Sequence, residues 1–150
     1  MTAKEFLQEY RLIRSKIELY TAEIEKIEAQ ASGGSQTIDG QPHGTAKSDK
    51  VARAAVRTAD LTEKLRVLQY EQEKRRGVII DILGKVTNYD NFTVLKMRYI
   101  DPRPACDWWK IADVMDKSTR QVQRIHGDAL IEVQKIIDTE VRNETERMGK

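Results

Sequence analysis

Cysteine is nearly absent from this 150-residue sequence, which contains only Cys106. A single cysteine excludes an internal disulfide and a cysteine-based zinc site, and it favours a reducing compartment. Long apolar runs are also absent, because none approaches the ~20 residues that span a bilayer. The N-terminal stretch MTAKEFLQEY is polar and acidic, unlike a secretory signal peptide. We therefore expect a cytoplasmic protein with no membrane partner.

Aromatic residues are scarce at 6%, whereas charged residues reach 33%, a balance that suits exposed helices better than a large globular core. The net charge of +2 is too small to indicate nucleic acid by itself. Its distribution is more informative, because residues 117–127 contain Lys117, Arg120 and Arg124 and no acid. The sequence shows no nucleophile–base pair, phosphate-binding glycine loop or paired carboxylates. We expect a protein that is not an enzyme and that takes no cofactor.

The two histidines and the two tryptophans are weak candidates for a site. His43 and His126 have no cysteine or histidine partner at ligand spacing, so we predict no metal and a structural or solvated role for both. Trp108 and Trp109 could stack on bases, but we expect one to fill the domain core and the other to lie at a helix edge.

The first 31 residues show a regular apolar pattern with alternating spacings of four and three. This pattern is a heptad repeat, and a strict 3.5-residue period indicates a helix of about 40 Å that packs against a similarly long partner. We call its apolar positions the N-terminal seam, with Ala31 continuing the spacing: Phe6, Tyr10, Ile13, Ile17, Tyr20, Ile24 and Ile27.

A flexible loop is predicted for residues 32–47, which are rich in glycine and have no periodicity. Ser48 is then placed to cap a second long helix, with Asp49 in its first turn. Two helices of similar length joined by a loop predict an antiparallel coiled-coil hairpin over residues 1–76. A parallel homodimer through the first helix remains an alternative, since heptads do not specify strand direction. The apolar stripe of the second helix runs through Val51, Ala54 or Ala55, Thr58, Leu61, Leu65 and Leu68.

The sequence changes character near Gly77, where the aliphatic runs GVIIDIL and VLKMRYI predict the start of a compact core. We place a small all-α domain at residues 77–141. Asp101 and Pro102 are expected to end a helix, and Asp107 to cap the next. Ser118 is expected to cap a final helix that runs to about Val141, followed by a frayed tail over residues 142–150.

The segment Trp109–Leu130 has the spacing of two helices that cross steeply through a short turn. Ala112 supplies the small residue at the crossing. Asp116 lies at the turn, where aspartate adopts a left-handed backbone at lower cost than most residues. The predicted core of this helix-turn-helix consists of Ile111, Ala112, Met115, Val122, Ile125 and Ala129.

The opposite face of the final helix carries side chains suited to duplex DNA. Arginine can donate two hydrogen bonds to guanine, and glutamine can pair in the same way with adenine. The start of the helix suits a phosphate. Gly127 is a poor mid-helix residue, and its missing side chain would allow a close approach. The predicted DNA-binding residues are Lys117, Ser118, Thr119, Arg120, Gln121, Gln123 and Arg124.

Residues 79–137 resemble the sigma factor region-four helix-turn-helix. The resemblance is carried by the segment Leu95–Tyr99, the pair Ile111–Ala112, and then Ser118, Val122, Arg124, Ala129 and Leu130. With the long helices before this domain, the chain is similar to the ArpU-like and RinA-like phage late transcription regulators. The resemblance implies promoter-proximal DNA binding and contact with RNA polymerase in a bacterial host cytoplasm. Two departures, Asp116 and Lys117, replace the usual glycine and aliphatic residue of the turn.

Three hypotheses follow from these patterns. The first is a sequence-specific transcription regulator, a phage late-gene activator acting with host RNA polymerase. In this hypothesis the N-terminal helices form a homodimer or hold a polymerase subunit. The second is a small terminase-like DNA-packaging adaptor, which would assemble as a ring. The third is an interaction module in which the helical hairpin is the active surface.

Overall fold

The structure, a computed structural model, describes residues 1–32, 46–102 and 107–149. Over these residues it is all-helical and contains no strand, so the predicted fold class is confirmed at this level. Residues 33–45 of the predicted loop, which include His43, lie outside the described residues, and so does Cys106. Within the part of the chain that is described, no helix is both long and apolar enough to cross a membrane. The helices are α1 (Ala3–Ser32), α2 (Ala46–Leu83), α3 (Tyr89–Leu95), α4 (Trp108–Met115) and α5 (Thr119–Met148).

Helix α2 is longer than predicted at both ends. It begins at Ala46, before the expected cap at Ser48, and it continues through Gly77 to Leu83. The domain boundary predicted between residues 76 and 77 therefore falls inside a continuous helix. A mid-helix glycine costs about 1 kcal/mol, whereas burying one large aliphatic side chain stabilises by about 1.5–3 kcal/mol. Ile79 and Ile82 are 1% and 5% exposed, so their burial outweighs the cost of the glycine.

The chain divides into two compact units. The core unit contains Met1–Arg11 and Glu73–Lys150, and the helical unit contains Leu12–Gln72. The first residues of α1 thus belong with the C-terminal half of the chain. Phe6 and Tyr10, which we predicted for a coiled-coil seam, instead pack in a globular core because aliphatic side chains of α2, α3 and α5 surround them. The buried members of this first cluster are Ala3, Leu7, Tyr10, Ile79, Ile82, Leu83, Leu95, Tyr99, Ala129 and Val133.

The helical unit contains the rest of the predicted apolar stripes. On α1, Ile13 and Ile27 are buried, while Ile17, Tyr20 and Ile24 are half-buried. On α2 the half-buried residues are Ala54, Thr58, Leu61, Leu65 and Leu68, whereas the predicted first member, Val51, is 52% exposed. The two helices touch within one chain: Nη2 of Arg57 lies 3.2 Å from Oε1 of Glu23.

A π-helical turn over Lys96–Ile100 continues α3. The N–H of Asp101 donates to the carbonyl of Lys96 at 2.9 Å, five residues back. This wider turn buries both Met97 and Tyr99. The helix ends before Pro102, as predicted. Helix α5 runs to Met148, so residues 142–148 are helical where a frayed tail was expected, although their side chains are exposed.

Candidate nucleic-acid interface

A second apolar cluster holds α3, α4 and α5 together. Ile111 and Val122, on α4 and α5, are both 0% exposed, and Val94 of α3 packs with them. Met115 and Ile125 are half-buried against this cluster, while Ala129 is buried in the first cluster. The six predicted core residues are thus all at least half-buried, although they divide between two clusters. The full second cluster is Val94, Met97, Ile111, Ala112 and Val122, with Trp108, Met115 and Ile125 packed against it.

The turn between α4 and α5 is closed by two backbone hydrogen bonds. The N–H of Asp116 donates to the carbonyl of Asp113 at 3.2 Å, and that of Lys117 donates to Ala112 at 3.0 Å. This pair is the Schellman arrangement, which places its central residue in the left-handed region. Asp116 adopts φ 52° and ψ 47°, so the predicted left-handed turn residue is confirmed. Asp107 occupies the predicted N-cap position of α4, but its side chain makes no capping hydrogen bond.

Replacing Asp116 with glycine should stabilise the protein. A left-handed backbone costs about 1–2 kcal/mol for most residues and less for aspartate, whereas glycine adopts it freely. We expect Asp116→Gly to raise the free energy of unfolding by up to about 1 kcal/mol in urea denaturation. Asp116→Val, with a β-branched side chain at the same position, should lower it. A less stable glycine variant would show that the aspartate side chain contributes more than its backbone strain removes.

Helix α5 begins with a reciprocal cap. The hydroxyl Oγ of Ser118 accepts from the N–H of Gln121 at 3.1 Å, and Oε1 of Gln121 accepts from the N–H of Ser118 at 2.9 Å. The predicted cap is therefore confirmed, and it is a full capping box. Two of the predicted DNA-binding side chains thus already make hydrogen bonds within the helix start. Their role is to fix where α5 begins.

Lys117 differs from the other predicted DNA-binding residues because it is half-buried. Its Nζ lies 3.7 Å from Oδ2 of Asp90, the second residue of α3. This contact joins the start of α3 to the turn before α5. It also offsets the charge of Lys117, so this lysine contributes less positive potential than we expected.

The remaining predicted residues form one exposed surface on the first turns of α5, which we call the reading face: Thr119, Arg120, Gln123 and Arg124. Arg120 and Arg124 are four residues apart and therefore lie one above the other. Among the described residues, neither guanidinium has an ion-pair partner within 4.0 Å. The buried side chains Val122 and Ala129 occupy the opposite side of the helix. Helix α5 thus presents two free arginines and a glutamine on a rigid support.

His126 lies on α5 beside the reading face, in a cluster of rings. Its Nε2 is 2.9 Å from the hydroxyl of Tyr99, and the ring of Trp108 meets it edge-on at 5.0 Å between centroids. Burial lowers the pKa of His126 to about 4, with a further contribution from the positive charge of Arg98. The imidazole is therefore neutral near pH 7 and adds no charge to α5. Its structural role agrees with the prediction, and no cluster of metal-ligating side chains occurs in the described residues.

The tryptophans divide as predicted. Trp108 packs against the second cluster, and the guanidinium of Arg98 lies 4.1 Å from its ring centroid. Trp109 is 63% exposed, with Nζ of Lys110 at 5.0 Å from its ring centroid. Trp108 thus helps to seat α4 against α5.

Glu132 is a positioning residue that sequence reasoning missed. Its Oε1 accepts from the N–H of Thr87 at 2.8 Å, and its Oε2 accepts from Nδ2 of Asn91 at 2.8 Å. The hydrogen bond from Asn91, followed by those from Thr87, lowers the pKa of this carboxyl. These contacts tie α5 to the start of α3. Because the partners lie more than 40 residues apart, no local pattern could have predicted them.

Comparison of the chain with known protein families, curated proteins and solved structures returned no match.

Proposed function

We propose that this chain is a sequence-specific DNA-binding protein in which α4 and α5 form a helix-turn-helix. The observation that carries this proposal is the reading face, which places Arg120, Gln123 and Arg124 on the exposed side of a capped helix. The opposite side of that helix is held by fully buried residues. In this class of proteins the start of the second helix enters the major groove. Such docking requires a rigid helix whose first residue is fixed.

The chemistry of the reading face fits base edges in the major groove. Either arginine can donate a bidentate pair to guanine, and the amide of Gln123 can pair with adenine. The first N–H groups of a helix have no partner inside the helix, so the backbone at Thr119 suits a phosphate oxygen. Thr119 itself offers a hydroxyl to the same groove. Arg120, Gln123 and Arg124 are therefore assigned to base reading, and the helix start to the phosphate backbone.

Electrostatic attraction to DNA should be modest. The reading face has two free arginines, Lys117 is paired with Asp90, and His126 is neutral. The affinity of proteins for DNA depends strongly on the number of phosphates they neutralise. We therefore propose that DNA binding is supported by a second contact, made through a dimer partner or through RNA polymerase. This proposal, together with the resemblance to sigma region four and to phage late regulators, favours transcription regulation in a bacterial host.

Replacing both arginines should abolish sequence discrimination. The wild-type site is first selected from a random duplex library, and binding is then measured by fluorescence anisotropy. Each good arginine–guanine pair discriminates by about 1–3 kcal/mol, so we expect Arg120→Ala/Arg124→Ala to bind that site about 100-fold more weakly or worse. Circular dichroism should remain unchanged, since both side chains are exposed. Wild-type affinity in the double variant would contradict the assignment of these arginines.

Arg142→Ala/Arg147→Ala provides the matched control, because it removes the same charge from exposed positions further along α5. We expect this variant to keep its discrimination for the selected site. Two other outcomes would favour an alternative function over that of a transcription regulator. A ring of many subunits in light scattering would indicate a packaging adaptor. A complete lack of DNA affinity at ~50 mM salt, where phosphate contacts are least screened, would indicate an interaction module.

A further inference from the structure

Gly127 lies inside α5, and none of its described neighbours requires a glycine at this position. A glycine inside a helix is less stable than an alanine, and two structural reasons commonly justify one. The first is a left-handed backbone, but no described glycine has a positive φ. The second is a crowded neighbour, but a Cβ placed on Gly127 would meet nothing within 4 Å. An alanine would therefore fit here without strain.

The position of Gly127 on α5 indicates a reason for a glycine there. It follows Arg120 by seven residues and Arg124 by three, so it lies on the same side of α5 as the reading face. At ~1.5 Å per residue it stands about 10 Å along the axis from Arg120. The major groove of DNA is about 12 Å wide. A helix that inserts its first turns into this groove, which is about 8.5 Å deep, would bring Gly127 to the rim of the groove, where the sugar-phosphate backbone runs.

The charges around Gly127 favour an approach of the DNA backbone from one side of α5. Asp128 is exposed beside it, and its carboxylate would repel a phosphate. Gln123 precedes Gly127 by four residues and carries no charge, so its side chain does not repel a phosphate. The approach is thus least hindered between Gly127 and Gln123, away from Asp128.

We propose that Gly127 is a positioning residue at which the sugar-phosphate backbone of duplex DNA comes closest to α5. The absent side chain lets the DNA strand contact the helix backbone, and this contact sets the angle at which the reading face enters the groove. This inference rests on the proposed DNA-binding function. It adds a specificity-determining position to the face that carries Arg120 and Arg124.

The test compares alanine at two glycines. Gly77, in α2, is also an exposed mid-helix glycine whose added Cβ would meet nothing within 4 Å. Either substitution should raise Tm by about 2–4 °C, because alanine favours the helix. We expect Gly127→Ala to weaken binding to the selected duplex at least 10-fold, whereas Gly77→Ala leaves the affinity unchanged. Gly127→Lys should also bind more weakly, because the obstruction is steric and an added positive charge does not remove it.

Each result has a distinct meaning. If wild-type protein binds no selected duplex, the proposed function fails and the role of Gly127 fails with it. If wild-type protein binds and Gly127→Ala binds equally well, only the role of Gly127 fails. A lower Tm for Gly127→Ala would also overturn this inference, because it would show that the fold itself requires the glycine. Tighter binding by Gly127→Lys would show that charge, and not space, governs this position.

Discussion

Leu7→Ala is expected to lower the free energy of unfolding by about 2–5 kcal/mol, the usual cost of emptying a fully buried leucine position. Leu7 is 2% exposed and packs with side chains that follow it by more than 70 residues, including Ile79 and Leu95. Deleting its side chain removes apolar contact and leaves a cavity that the surrounding helices fill only in part. The measurement is urea denaturation followed by tryptophan fluorescence. Trp108 and Trp109 both lie in the core unit, so their signal reports on that unit, and far-ultraviolet circular dichroism follows the helices of both units.

Leu12→Ala is the matched control. Leu12 lies on the same helix, undergoes the same chemical change and is 54% exposed. Substitutions at such surface positions usually change stability by no more than about 0.5 kcal/mol. If Leu7→Ala and Leu12→Ala had equal stability, the N-terminal segment would not belong to the core of the C-terminal half. A large difference would support a DNA-binding unit that depends on the first residues of the chain.

The joining of these distant segments shows where sequence reasoning reached its limit. The heptad pattern predicted that α1 is a helix with one apolar side, and its seam residues are at least half-buried. The pattern could not specify the partner of that side, because a spacing of three and four is equally suited to a coiled coil and to a globular core. Phe6 and Tyr10 therefore pack in the first cluster of the core unit, although they continue the same repeat as Ile17 and Ile24.

Local chemistry, in contrast, was predicted well. The cap at Ser118 and the left-handed Asp116 depend on residues within five positions of each other, so their signals lie in one short stretch of sequence. The second hydrogen bond of the cap, which Oε1 of Gln121 accepts from the N–H of Ser118, was missed because the same side chain also suits DNA. The contacts of Glu132 were missed because they join distant segments. Local backbone geometry can thus be predicted from sequence here, whereas the choice among several uses of one polar side chain requires the structure.

Gly77 shows how a change of composition can lie inside one helix. The rise in aliphatic content after Gly77 predicted that a compact core, and with it a second domain, begins there. The aliphatic residues that follow are buried with a helical period, as at Ile79 and Ile82, so the helix continues through the glycine. A composition change can mark the point where an existing helix enters a core. The boundary between the two compact units accordingly falls within α1 and α2.

Ile111→Ala should have the second large effect, because Ile111 is 0% exposed and joins α4 to both α3 and α5 through the second cluster. We expect the free energy of unfolding to fall by about 2–5 kcal/mol. Val114→Ala is the control on the same helix, since Val114 is 68% exposed, and it should change stability by no more than about 0.5 kcal/mol. Urea denaturation of both variants measures the difference.

The same two variants test whether the packing of α4 positions the reading face for DNA binding. Helix α5 is also held by Ala129 and Val133 in the first cluster, so it should stay helical in Ile111→Ala. What this variant loses is the support of α4 beneath the first turns of α5, where Arg120 and Arg124 project. We therefore expect Ile111→Ala, measured well below its Tm, to bind the selected duplex more weakly, while Val114→Ala binds as wild type does. If Ile111→Ala were destabilised but read DNA normally, the reading face would be positioned by the first cluster alone, and α4 would not be part of the recognition element.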